Sequence, residues 1–177
     1  GMHNWPGMKP GQFAVSDGPV MASSNEFKIT IRGKGSHAAL PHNGIDPVPV
    51  ACQMVQAFQT IITRNKRPID AAVISVTMIH TGEATNVVPD SAEIQGTVRT
   101  FTIEMLDMIE RRMREIAEHT TAAFGARVEF EFRRNAYMYV AFQHADEHWL
   151  TRAYPQERVS CFAKWSGWRT LTLDGNV

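Results

Sequence analysis

The sequence predicts an α+β sandwich: a four-stranded antiparallel sheet with two helices on one face, in the order βαββαβ. Three observations carry this. Four segments alternate polar and apolar residues with the period of two of half-buried strands, two longer segments repeat apolar residues every three or four positions, and Gly or Pro punctuates most of the joins. Strands that alternate leave one sheet face wet, so both helices belong on the other. The expected architecture is ferredoxin-like.

The first strand, Asn25 to Gly33, sets Phe27, Ile29 and Ile31 against Glu26, Lys28, Thr30 and Arg32. The first helix starts at Asp46, whose carboxylate can accept an orphan backbone N–H, with Pro47 at the first helical position. Val50, Met54, Ala57, Phe58 and Ile61 then fall on one stripe, and Pro68 marks the end. Residues 71–82 read as the second strand, with Val73, Ser75, Thr77 and Ile79 alternating with Ile74, Val76, Met78 and His80. The third, Ala92 to Thr100, alternates Ile94, Gly96 and Val98 with Glu93, Gln95, Thr97 and Arg99. Thr102 caps the second helix, whose stripe is Leu106, Ile109, Met113, Ile116, Thr120 and Ala123 and which Gly125 stops. The fourth strand puts Val128, Phe130 and Phe132 opposite Glu129, Glu131 and Arg133. After Asn135 neither period persists, and residues 136–177 receive no architecture.

Eighteen basic and eighteen acidic side chains cancel, so no long-range field gathers nucleic acid or anionic lipid. An RNA-binding sheet on this frame would want stacking aromatics on the third strand, where Gly96 and Thr97 stand instead. No run approaches the apolar length of a membrane span. Cys52 and Cys161 lack C-x-x-C spacing, and the apolar neighbours of Cys52 suggest a small buried thiol in a reducing, cytoplasmic setting. Gly1 ahead of Met2, followed at once by glycines and prolines, reads either as a residue added before a start Met2 or, the favoured reading, as a chain cut from something longer.

Two glycine-rich or proline-bounded stretches hold the candidate chemistry. "RGKGSHAALPHNGIDP" places His37 and His42 between the first strand and the first helix, and "TNVVPDSAEIQGTVRT" carries Asn86 before two valines and Arg99 late on the third strand. With "GMHNWPG" ahead of them, these segments closely resemble the lid, or dimerisation, domain of the di-metal aminoacylase and carboxypeptidase family, in the amidohydrolase branch that includes hippurate hydrolases. The resemblance runs from Gly1 to Asn135. It implies a remnant of the metal-binding catalytic domain at 1–24, the lid at 25–135, and a tail at 136–177 that departs from the family pattern.

The resemblance also implies roles. His37 matches the lid histidine that reaches into the partner subunit's active site and donates to the oxygen of the scissile amide. Asn86 and Arg99 match positions contacting the substrate's carbonyl or carboxylate end, and His3 matches a metal ligand; His42 recurs in the pattern without a firm role. The complete enzyme would use two divalent ions, zinc, manganese or similar, on N-acyl amino acids or small peptides. The family's Gly-Cys-Gly-His-Asp-x-His segment, Glu-Glu pair and late His are missing, so this chain alone is expected to lack activity; the alternative is a stand-alone dimerisation module. "HADEH", His144 to His148, fits an inverted zinc-protease pattern but reads more simply as a polar helical turn. An exposed β-branched edge is a pairing hazard unless covered, so a two-fold homodimer through the second strand and first helix is expected.

Overall fold

A computed structural model describes residues 18–135 and 139–141 of the chain. Gly18–Met21 (β1) and Tyr139–Ala141 (β8) pair with each other in a two-stranded ribbon. The main unit, residues 21–139, is built from β2 (Ser24–Arg32), β3 (Ser36–His37), α1 (Pro47–Thr60), β4 (Ala72–Thr81), β5 (Val87–Val88), β6 (Ser91–Thr100), α2 (Ile103–Ala123) and β7 (Arg127–Asn135). Its sheet has the order β4-β6-β2-β7 with every neighbouring pair antiparallel, which is the ferredoxin-like arrangement expected.

The core forms where the apolar rows of β2 and β6 meet the helices. Phe27, Ile29 and Ile31 lie opposite Gly96, Ile94 and Ala92, all buried under α1 and α2. Phe27 meets Phe58 of α1 edge to face, with ring centroids 6.2 Å apart. Asp46 accepts the Val48 N–H at 2.9 Å and Thr102 accepts the Met105 N–H at 3.2 Å, so both helices start where their capping residues predict. Past Thr60, α1 continues through a π turn, Ile61–Asn65, that keeps Ile61 buried. At the end of α2, Gly125 takes φ +71°, a conformation that costs an L side chain but not glycine.

Three local readings need correction. On α2 the buried line beyond Ile109 is Met113, Ala117 and Thr121, not Ile116, Thr120 and Ala123; a strict four-residue step follows the sheet's surface as the helix crosses it. On β4 a bulge between Val76 and Met78 reverses the alternation: Met78 lies opposite Gln95 on the open face and Ile79 opposite Ile94 on the helix-covered face. Cys52 is exposed rather than buried, because its apolar neighbours Val50, Ala51 and Met54 occupy the buried stripe and Cys52 falls beside it. Among the described residues no helix is long and apolar enough to cross a membrane.

Gly96 is where the sheet tolerates least. A Cβ there would lie 2.0 Å from the Ser75 carbonyl oxygen and 2.6 Å from the Phe27 ring, which fills the missing volume. Gly96→Ala should lower stability by about 2–3 kcal/mol through overpacking, read as a reduced midpoint in urea unfolding.

Candidate functional site

Where β2 ends at Arg32, three successive devices build the loop that carries His37. The Gly33 N–H donates to the Asp90 carbonyl at 2.8 Å, Lys34 and Ile45 exchange two backbone hydrogen bonds at 2.9 and 2.8 Å, and the Gly35 N–H donates to the Asp90 carboxylate at 2.7 Å. The glycines are steric necessities here. A Cβ on Gly33 would meet the Ile45 carbonyl oxygen at 2.2 Å, and one on Gly44 would meet the Lys34 carbonyl oxygen at 2.6 Å.

The loop is then laced to a second one. Ser36 and His37 (β3) pair antiparallel with Val88 and Val87 (β5), and the Ala38 N–H donates to the Asn86 carbonyl at 2.9 Å. His37 and Asn86, far apart in sequence, thus share one exposed tip. The Ala39 N–H donates to His37 Nδ1 at 3.0 Å, which makes Nδ1 the acceptor nitrogen and leaves the proton on Nε2. An exposed imidazole held this way presents a single outward N–H. His42 lies on the same loop, exposed in a short 3-10 turn, Pro41–Asn43.

Arg99 is elsewhere. It stands next to last on β6, on the open face, while β6 begins at Ser91 beside the His37 loop. Eight strand residues separate the two ends, about 26 Å at 3.3 Å per residue. At the Arg99 end, Ser24 pairs with Asn135, so the chain enters and leaves the sheet side by side there. A buried polar cluster grips the backbone around Arg99: Asn25 Nδ2 donates to the Val98 carbonyl at 3.1 Å, the Thr100 N–H donates to Ser23 Oγ at 3.2 Å, and the Ser23 N–H donates to the Thr100 carbonyl at 2.7 Å. On the same face Lys28, Arg32 and Arg133 pair with Glu93, Glu129 and Glu26, whereas Arg99 makes no ion pair among the described residues. The Glu93 carboxyl is held below its ordinary range by hydrogen bonds first from Lys28 and then from Gln95.

The structure therefore brings His37 and Asn86 together and keeps Arg99 apart from them. His3 and the His144 to His148 segment lie outside the described residues. The pairing of β3 with β5 and the Asp90 anchor were missed from sequence. Two adjacent valines between Asn86 and Pro89 were the available signal for β5.

The sequence model of a family described as a peptidase dimerisation domain matches residues 22–124, more than half of the chain. The chain belongs to this family. The dimerisation domain has informative relatives. The chain is 43% identical over 132 residues to an N-acetylcysteine deacetylase of Bacillus subtilis, covering 75% of this chain and 35% of that protein. To an N-acetyldiaminopimelate deacetylase of Streptococcus sanguinis it is 38% identical over 138 residues, covering 78% and 37%. It thus spans about a third of the length of the curated relatives it matches. Among solved structures, a dinuclear metal-binding peptidase of the M20 family from Bacillus subtilis superposes with a TM-score of 0.59 at 35% identity, over 75% of this chain and 32% of that one. An aminobenzoyl-glutamate utilization protein from Klebsiella pneumoniae shares the fold at 19% identity and a TM-score of 0.61, over 77% and 34%.

The dimerisation domain itself does not fit a two-metal centre. Among the described residues no group of three or more His, Cys, Asp or Glu side chains converges as a metal site. His37 should show the Nε2–H tautomer in its neutral form in long-range nitrogen–proton correlation spectra; dominance of the Nδ1–H form would contradict the Ala39 hydrogen bond.

Proposed function

We propose that this chain is the lid and dimerisation portion of a metal-dependent amidohydrolase that cleaves the amide bond of N-acyl amino acids or small peptides. The observation that carries the reading is the lacing of β3 to β5, which sets His37 beside Asn86 on an anchored, exposed tip with one N–H aimed outward. The relatives' printed activities on N-acetylcysteine and N-acetyldiaminopimelate support the substrate class. Residues 1–24 and 136–177 would lie outside the lid, with His3 as a metal ligand at the edge of a catalytic domain.

An amide carbonyl gains negative charge as water adds to it. The His37 Nε2–H, already oriented and needing no reorganisation, stabilises that charge, a contribution of about 3–4 kcal/mol for a well-placed donor. The Asn86 amide supplies a further polar contact to the carbonyl end. Arg99 offers a planar fork that holds a carboxylate through two hydrogen bonds, which selects substrates with a free carboxyl group. Two divalent ions, held by residues outside the described part, would polarise the carbonyl and activate the water.

The separation of Arg99 from the tip dictates how these groups combine. Arg99 lies at the end where the chain joins its catalytic domain, and His37 and Asn86 lie at the far end, so a site using all three draws on two copies. A homodimer through β4 and α1 supplies the second copy. β4 is an edge strand that exposes Val73, Met78 and Ile79, and α1 carries no charged residue from Pro47 through Thr60 although Cys52, Gln53, Gln56 and Gln59 are exposed. Depletion of charge beside an exposed apolar edge is what an interface core requires. The exposed Cys52 thiol suits the reducing conditions of a cytoplasm.

Placing residues 22–124 in the corresponding segment of the Bacillus subtilis N-acetylcysteine deacetylase gives a testable enzyme. There His37→Ala should lower kcat by about 10²–10³ with metal content unchanged; unchanged turnover removes the assigned role. Mixing His37→Ala with Arg99→Ala subunits should restore activity to one site of each heterodimer, and failure to complement refutes the shared site. The 177-residue chain should sediment as a dimer, and Ile79→Lys should weaken its association by at least about tenfold because an unpaired buried charge is costly; a wild-type mass that stays monomeric at all concentrations refutes the interface.

A further inference from the structure

We infer that Asp90 is a positioning residue for His37, acting through the Gly35 amide; this rests on the catalytic reading of His37 given above. The sheet's ladder cannot reach β3 unaided. The paired stretch of β2 and β6 stops at Arg32 and Ser91, and one residue before Asp90 stands Pro89, which has no N–H to offer. Asp90 bridges the gap with two acceptors. Its carbonyl takes the Gly33 N–H at 2.8 Å and its carboxylate takes the Gly35 N–H at 2.7 Å, so alternate residues of the outgoing strand are fixed just before Ser36 and His37 settle opposite Val88 and Val87.

The fit is mutual. A Cβ on Gly35 would lie 2.9 Å from the Asp90 carboxylate oxygen and 3.0 Å from the Val88 carbonyl oxygen, so the carboxylate occupies the space that any side chain would need. A carboxylate accepting a backbone N–H is a charge-assisted bond, stronger than the neutral rung it replaces. Asp90 is itself exposed, and both bonds run into the stretch that leads to His37. Its loss therefore acts on the tip rather than on the core. Through the Ala38 and Ala39 amides the same stretch fixes His37 against Asn86 and sets its tautomer, so the direction of the catalytic N–H depends on a residue that touches no substrate.

Hydrogen exchange on the 177-residue chain reads this directly. Asp90→Ala should speed exchange of the Gly35 and Ala38 amides by about tenfold or more while amides of the β2–β6 pair keep their rates, and Asp90→Asn, which retains an acceptor oxygen, should restore most of the protection. Ala38 protection unchanged in Asp90→Ala, or acceleration spread equally over the sheet, overturns the inference. In the grafted enzyme described above, Asp90→Ala should lower kcat with little change in KM when His37 is present and have no further effect in a His37→Ala background; an equal loss in both backgrounds also overturns it. If His37→Ala leaves turnover intact, the catalytic reading fails on its own, and the exchange rates still decide whether Asp90 fixes the loop.

Discussion

The antiparallel register of β2 against β6 is the constraint on which everything else depends. Eight residue pairs, Asn25 with Val98 through Arg32 with Ser91, fix the two central strands. That one alignment stacks the apolar rows under the helices and also decides what happens at both ends of the sheet. At one end it delivers Gly33 and Gly35 to Asp90 and so builds the His37 loop. At the other it sets Asn25 and Ser23 against the backbone around Arg99. A slip of one residue would turn Phe27, Ile29 and Ile31 to water and misplace both sets of polar groups together. Stability and the placement of the candidate residues are thereby specified by the same hydrogen bonds.

The regular elements were legible in the sequence because their physics is local. The alternation of Phe27, Ile29 and Ile31, the Asp46–Pro47 start, and the Thr102 cap each act within a few residues and each appears where expected. The misjudged features depend on partners distant in sequence. The bulge in β4 exists only as an accommodation to β6, and the outward turn of Cys52 depends on which side of α1 meets the sheet. For the candidate site, His37, Asn86 and Arg99 were nominated by the family resemblance of the stretches that hold them. Their grouping could not be read from the chain, since β3 and β5 are two residues long and have no period to detect; only tertiary pairing makes them strands.

The two helices show how differently one fold can treat its outer surfaces. The outer side of α2 is laced with charge, including Arg111 and Arg112 against Glu115 and Arg114 against Glu110. Such exposed pairs contribute little to stability and mainly keep a surface wet. α1, facing the same solvent in the isolated chain, has amides and a thiol instead. Desolvating a glutamine against another protein costs far less than desolvating a lysine, so this difference marks which helix can be covered.

The pairing of Ser24 with Asn135 has a consequence at the level of genes. Directly opposed residues on neighbouring strands are about 5 Å apart, so any polypeptide that carried this unit as an insertion would meet it as a gap scarcely wider than a tight turn. Closing that gap would cost such a host almost no chain entropy, because the ladder inside the unit has already brought its two ends together. A segment with abutting ends can be acquired, exchanged between enzymes or lost as a cassette while the surrounding fold keeps its own path.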